Sequence, residues 1–394
     1  MPSGDVLIAG GGIGGVTTAL ACARQGFTVQ VFEQSPEFTE VGAGIQLSPN
    51  CTRVLHDLGL ESALRDIAFL PEGVEMRDWR SGRVLSARAL GAAAVAQYGH
   101  PYYNVHRADF MKVLVQAALA EPGVQLHTNA CVESVEQDAG GVLAQINGRS
   151  HRSAILVGAD GIHSTVRAGM FGSAAPTFTG NVAWRMLVPA ERLAPGMLRP
   201  VATAWWGPRK HFVHYFVRAG ALVNCVCVVE ERDWQVESWT QRGEHSELKD
   251  SFAGWNDTVQ TLIDNADPDS CYKWALFDRP PMRQWGAGRV TLLGDACHPT
   301  LPFMAQGAAM AIEDGAVLAR CLAAADGQPA TALARYERLR RGRTARVQAS
   351  SRRNAKVYHL SGVQAWLRNL VAGRAASREM DRVFGYDALR AAGA

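Results

Sequence analysis

The stretch VLIAGGGIGG, residues 6–15, decides how the rest of the chain is read. A run of aliphatic residues leads directly into five glycines among six, and an Ala- and Leu-rich segment follows from residue 14 to 25. Gly26 stops that segment, and residues 27–33 alternate apolar and polar. Strand, glycine turn, helix and strand within about thirty residues make a βαβ unit. Gly10, Gly12 and Gly15 have the spacing of a dinucleotide fingerprint. The first glycine makes a tight turn, the second lets a pyrophosphate approach the backbone, and the third lets helix and strand pack closely. The phosphate would sit at the helix N-terminus, where free N–H groups and the helix dipole favour negative charge. Glu33, at the end of the second strand, is placed to accept the hydroxyls of an adenosine ribose.

Working outward, the 394 residues predict two domains. With 47% hydrophobic and 20% charged residues, the composition is that of a soluble globular protein. A net charge of +3 gives no ground for a nucleic-acid partner. The eight cysteines are scattered, without metal-knuckle spacing, so no metal site and no disulfide framework is expected. Residues 6–23 imitate a signal peptide, but no positive charge precedes them and glycines interrupt the apolar run. No uninterrupted run reaches the roughly 20 apolar residues of a membrane span. A cytoplasmic protein without stable membrane association is the expectation.

Residues 107–123 read as a helix ended by Pro122-Gly123, followed by short strands to residue 158. From residue 182 the character changes to a sheet-rich block with Trp184, Trp205, Trp206, His211, His214 and Tyr215 among alternating apolar residues. Residue 292 resumes the α/β pattern, and residues 308–325 read as a strong helix. The segment after residue 330 is helical and basic, and Arg335, Arg338, Arg340, Arg341, Arg343 and Arg346 read as a solvated face.

The opening fingerprint serves NAD and FAD alike, and two later stretches choose between them. GADGIHSTVR (158–167) and LLGDACHP (292–299) each place an Asp–Gly or Gly–Asp step after a hydrophobic strand. Asp295 at such a turn can bind a ribityl hydroxyl, which NAD lacks. Gln306-Gly307-Ala308 opens the next helix with small residues, so its positive end can face a flat ring system and favour the anionic reduced flavin.

These three motifs, in this order and spacing, resemble the single-component FAD-dependent aromatic hydroxylases over residues 6–336. EVGAGIQLSPN (40–50), HRADF, WWGPRKHFVHY and GDACHPTLPFMAQGAAMAIEDG are most similar to the branch acting on 6-hydroxynicotinate, salicylate and 3-hydroxybenzoate. The resemblance implies an α/β fold with a Rossmann-like FAD-binding domain (1–75, 100–175 and 275–330) interleaved with a β-sheet-rich substrate domain (76–99 and 176–274). A C-terminal helical segment (331–394) completes it. It also implies non-covalent FAD held by Gly14, Glu33, Arg107, Asp295 and Ala308 beside Gly10, Gly12, Gly15 and Gly307, with the backbone of Cys131 on the adenine side.

The implied chemistry is reduction of FAD by NADH or NADPH, addition of O2 at flavin C4a, and oxygen transfer from the hydroperoxide to an electron-rich ring. A ring hydroxyl should then be deprotonated or hydrogen-bonded to a base, for which histidine suits neutral pH. In KHFVHY, alternation puts His211 and Tyr215 on one strand face and His214 on the other. The 6-hydroxynicotinate hydroxylases resemble this chain in having the same His and Tyr at this spacing, so the expected catalytic residues are His211 and Tyr215, with Gln46 beside them. Gln46 and Phe303 stand where that branch has histidines; Gln46 can hydrogen-bond but takes no proton at neutral pH. His298 reads as structural. The expected substrate is a small hydroxylated aromatic or heteroaromatic carboxylate, and the protein a monomer or homodimer. A flavin oxidase or dehydrogenase, or a non-catalytic FAD-binding redox protein, is the competing reading.

Overall fold

The structure is a computed structural model that describes residues 5–38, 44–236 and 241–393, without the side chains of residues 371 and 373–376. Residues 40–43 of the EVGAGIQLSPN stretch lie outside the described residues. The opening βαβ unit forms the strands Asp5–Ala9 and Thr28–Phe32 around the helix Ile13–Arg24. Gly26, at φ +87°, ends the helix in the left-handed region that glycine tolerates. The Asp5–Ala9 strand lies within a six-stranded sheet ordered Gly286–Ala287, Val290–Leu292, Ile155–Gly158, Asp5–Ala9, Thr28–Phe32 and Val124–His127. All its pairings are parallel except the Gly286–Ala287 edge. The first strand, the DG stretch and the GD stretch are therefore neighbours in one sheet, and their turns open at the same end, where ligands of parallel sheets bind.

The second sheet has seven strands, in the order Tyr272–Asp278, Thr177–Pro189, Leu222–Glu230, Lys210–Val217, Val201–Gly207, Gly73–Asp78 and Val84–Ala89. Both its faces are buried, for different purposes. Trp184, Trp205, Phe212, Cys225 and Cys227 pack on one face with Leu248, Phe252 and Leu262 of the covering helices. The opposite face carries Ala202, Ala204, Trp206, His211, Val213 and Tyr215 and lines a cavity.

The C-terminal segment is two long helices, Pro329–Tyr358 and Gly362–Phe384, and here the structure corrects the solvated-face reading. Arg338, Arg341 and Arg346 are exposed, but Arg340 and Arg343 are buried. Arg340 Nε lies 2.6 Å from Asp314 and its Nη2 2.6 Å from Glu313, while Arg343 Nη2 lies 3.1 Å from Glu313. The two carboxylates belong to the helix Gly307–Ala324, whose N-terminus faces the cavity. A carboxylate buried without a partner would neutralise, so the two arginines are what let this acidic pair sit in the core. Further along the same long helix, Gln348 donates to the Pro299 carbonyl (2.7 Å) and Ser351 to the Leu301 carbonyl (2.6 Å). The C-terminal helix thereby fixes the loop that follows the GD stretch.

Candidate active site

A cavity of about 1280 Å³ lies between the two sheets, beyond the range of roughly 300–1,000 Å³ typical for one small ligand. Its volume suits a dinucleotide and a second, small molecule together. Gly12, Gly14, Arg107, Asp295, Gly307 and Ala308 line one part of it, and Gln46, His211, Tyr215, Phe303 and Tyr358 line another.

In the first part, the turn after the first strand has the features a phosphate-binding backbone needs. Gly10 sits at φ +103°, and a Cβ there would be driven into the Ala159 carbonyl of the neighbouring DG turn. A Cβ on Gly15 would meet the Gly10 carbonyl, so helix and turn pack without room for any side chain. Glu33 receives the Gly11 N–H (2.7 Å) and the Ser35 N–H (2.9 Å), which fixes it at the rim of the turn with lone pairs remaining for ribose hydroxyls. Arg107, the first residue of the helix Arg107–Leu119, faces the cavity close to Asp295 and Tyr215. Asp295 is exposed to the cavity, and desolvation by the walls around it raises its pKa, against the opposing charges of His298 and Arg107. Opposite stands the N-terminus of Gly307–Ala324, whose first N–H groups have no intrahelical partner. A glycine turn, a cavity-facing carboxylate and a helix N-terminus around one large cavity fit FAD.

Gly10, Gly15 and Glu33 flank the cavity without lining it, and Cys131 is further from the turn's hydrogen bonds. It is exposed and does not line the cavity, its N–H donates to Asn147 Oδ1 (3.1 Å), and its carbonyl accepts the Asn147 N–H (3.3 Å). An adenine contact there would share or displace the Asn147 pair.

In the second part, the strand Lys210–Val217 points His211 and Tyr215 into the cavity, with Val213 between them. His214 faces the other way, against Trp205 and Phe212, and burial holds its pKa at about 3. Tyr215 is buried, and burial raises its pKa; its ring is so close to Gly44 that a Cβ there would lie 2.7 Å from the ring carbon Cε2. Gln46 lies on the cavity side of the short strand Gly44–Leu47. The Phe303 ring stands 5.1 Å from the His211 ring and makes that corner apolar. His298 is buried behind the cavity-lining residues, its Nε2 2.5 Å from Asp314 in the buried charge cluster.

Sequence reasoning missed three residues of this part. His359, just after the long C-terminal helix, puts Nε2 2.8 Å from His211 Nδ1 and Nδ1 3.0 Å from Glu230 Oε1. Burial, with His359 adding to it, holds His211 well below the usual histidine range. Burial also lowers His359, against the opposing pull of Glu230. Arg185 is the third: it lines the cavity over Tyr272 and Trp274, and burial, with nearby Arg107, lowers its pKa to about 10. A charged residue on an otherwise apolar alternating strand was its sequence signal. The His359 signal, an aromatic–histidine pair ending an arginine-rich helix, is weak.

Comparisons with known proteins agree with this geometry. The family described as "FAD binding domain" matches residues 3–351. The 3-amino-4-hydroxybenzoate 2-monooxygenase PtnB3 of Streptomyces platensis is 41% identical over 90% of this chain and 88% of its own. The 3-hydroxybenzoate 6-hydroxylase of Polaromonas naphthalenivorans is 39% identical over 95% of this chain and 94% of its own. Among solved structures, a salicylate hydroxylase substrate complex superposes with a TM-score of 0.84 at 25% identity, covering 99% of this chain and 97% of its own. The relatives are monooxygenases, which favours hydroxylation over the oxidase, dehydrogenase and non-catalytic readings. Among the described residues no helix is long and apolar enough to cross a membrane, and no group of His, Cys, Asp and Glu is arranged to hold a metal. With the fingerprint turn, Asp295 and the helix N-terminus at one cavity and relatives of this kind over nine-tenths of the chain, the protein belongs to the FAD-binding-domain family, as a single-component FAD-dependent aromatic hydroxylase.

Proposed function

We propose that the protein hydroxylates a small aromatic carboxylate bearing a ring hydroxyl, with His211 as the base for that hydroxyl and Tyr215 as the group that orients it. The observation that carries this reading is the shared face of His211 and Tyr215, turned into the same cavity as Asp295 and the Gly307 helix N-terminus. Bound FAD supplies the activation of O2, with electrons from NADH or NADPH. The protein's own residues bind, orient and move protons. Gly12, Gly14, the Gly307–Ala308 end, Arg107 and Asp295 would hold the cofactor. Arg185 gives the cavity a buried positive charge suited to a carboxylate. Trp206, Phe303 and Tyr358 exclude water around the ring. His211 takes the hydroxyl proton as oxygen transfers, an assistance worth roughly 10²–10⁴-fold. Gln46 donates or accepts a hydrogen bond without taking a proton.

The test is a screen of 3-hydroxybenzoate, 3-amino-4-hydroxybenzoate, salicylate and 6-hydroxynicotinate for stimulated oxidation of NADH and of NADPH, with mass analysis of the products. With at least one of the four, the expected product is heavier by one oxygen or, where the carboxyl leaves as CO2, has a hydroxyl in its place. Stimulated oxidation that yields only hydrogen peroxide with every acid, or no stimulation at all, would overturn the substrate class.

A further inference from the structure

His211 is an unpromising base if it acts alone. Its ring is 3% exposed, packed against Phe303 and Tyr358, and any proton it accepted would leave a cation among apolar groups. A base in that position works only if the charge does not have to stay on it. The ring's Nδ1 is 2.8 Å from His359 Nε2, which leaves Nε2 as the nitrogen that can meet a ligand. His359 is itself buried, and its Nδ1 is 3.0 Å from Glu230 Oε1. Glu230 ends the strand Leu222–Glu230 and is 37% exposed, so the chain of groups runs from the cavity to solvent. The chain is also anchored by the backbone, since the Arg209 N–H donates to the His359 carbonyl (3.0 Å) and the Glu230 N–H to the Arg209 carbonyl (2.9 Å).

The acceptor at the outer end dictates the tautomers. An ionised carboxylate only accepts, so His359 must carry its proton on Nδ1. His359 Nε2 is then bare and only accepts, so His211 must carry its proton on Nδ1 as well. His211 Nε2, on the cavity side, is left as a lone pair. We propose that Glu230, His359 and His211 form a proton relay between the cavity and solvent, in which the carboxylate makes His211 Nε2 a base toward the substrate hydroxyl. The inference rests on the reading of His211 as the base.

The step balances without any oxidant or reductant. The ring O–H bond breaks and its proton bonds to His211 Nε2. The Nδ1 proton of His211 passes to His359 Nε2, the Nδ1 proton of His359 passes to Glu230, and Glu230 releases it to water. One proton leaves, the ring oxygen keeps the electron pair, and neither histidine holds a charge between transfers. When the ring regains its aromaticity and its hydroxyl a proton, the reverse passage restores the starting tautomers. Two other charges face the relay: Arg209, with Nε 3.3 Å from Glu230, and Arg368, which lowers the His359 pKa. Arg209 pairs with the Glu230 carboxylate, and Arg368 favours the neutral form of His359. His359 and Glu230 act through His211 and are positioning residues.

The deciding experiment needs no substrate. The FAD-loaded protein is labelled with 15N-histidine, and nitrogen shifts at neutral pH are read for the wild type and for Glu230→Ala, with His211→Gln and His359→Gln to assign the rings. Both rings should be neutral with the proton on Nδ1, the opposite of the tautomer favoured in water. In Glu230→Ala both should switch to protonated Nε2, because His359 can then donate to His211 Nδ1. A wild-type His211 already protonated on Nε2, or tautomers indifferent to Glu230→Ala, would overturn the relay. The kinetic arm uses 3-hydroxybenzoate and 3-amino-4-hydroxybenzoate. His359→Gln keeps both hydrogen bonds but passes no proton, so product formation should fall roughly 10²-fold while flavin reduction is retained. Product formation unchanged in His359→Gln would overturn the relay, whereas unchanged product in His211→Ala would overturn the base itself.

Discussion

Replacing Arg340 with Met tests whether the buried charge cluster holds the cofactor-facing helix. The guanidinium is fully buried, with Nε 2.6 Å from Asp314 and Nη2 2.6 Å from Glu313. Methionine leaves much of the volume filled and removes only the charge and its donors. Glu313 then keeps Arg343 and Asn50, and Asp314 keeps His298, so each carboxylate loses one of its charge-assisted partners rather than all of them. Breaking one member out of a buried ionic cluster costs roughly 3–5 kcal/mol. The unfolding entropy of about 2.1 cal/mol/K per residue, over 394 residues, is ~0.83 kcal/mol/K, so Tm should fall by about 4–6 °C. The pH dependence follows from the same contacts. Burial alone would raise the pKa of Glu313 and Asp314, but Arg343, Arg340 and His298 outweigh it and hold both below their ordinary values of 4.5 and 3.8. A depressed carboxyl contributes stability above its unfolded pKa and loses it as pH falls through the folded one. The wild type should therefore lose Tm steeply on the acid side of those values, and Arg340→Met should show a shallower loss. Calorimetry across that range is the assay. A Tm within 1 °C of wild type at neutral pH would refute the reasoning, because the carboxylates would then not depend on Arg340.

Denaturation should release FAD as a yellow supernatant; colour remaining on the precipitated chain would show a covalent bond. Asp295→Ala should lower the flavin content of the purified protein, as measured by absorbance per chain, whereas unchanged content would move the ribityl contact elsewhere. Arg107→Lys should weaken FAD binding without altering preference among aromatic acids, because Lys cannot reproduce the planar fork of donors. His211→Ala should divert NAD(P)H consumption toward hydrogen peroxide more than His214→Ala does, read as product formed per NAD(P)H oxidised. The reverse order would mean that the wrong face of the strand had been assigned to the cavity.

What the sequence determined by itself is what short-range physics controls. The glycine turn, the helix after it and the strand Thr28–Phe32 were legible because apolar periodicity and backbone freedom are local properties. The same holds for the strand Lys210–Val217, where a period of two separates His211 and Tyr215 from His214 whatever the strand packs against. The edges were less legible. The strand Arg149–Ser153 has no apolar alternation and is held by its pairing to Gly141–Ile146. Arg340 and Arg338 look equivalent in an arginine-rich helix, and only the packing against Gly307–Ala324 turns one into the core and leaves the other in solvent. The link from His211 to His359 spans 148 positions, and it exists because the end of the C-terminal helix docks beside the strand that carries His211. A long-range contact of this kind depends on the phase and register of two separate elements. Neither element encodes the other's position, so the tertiary structure alone decided which histidine would meet which.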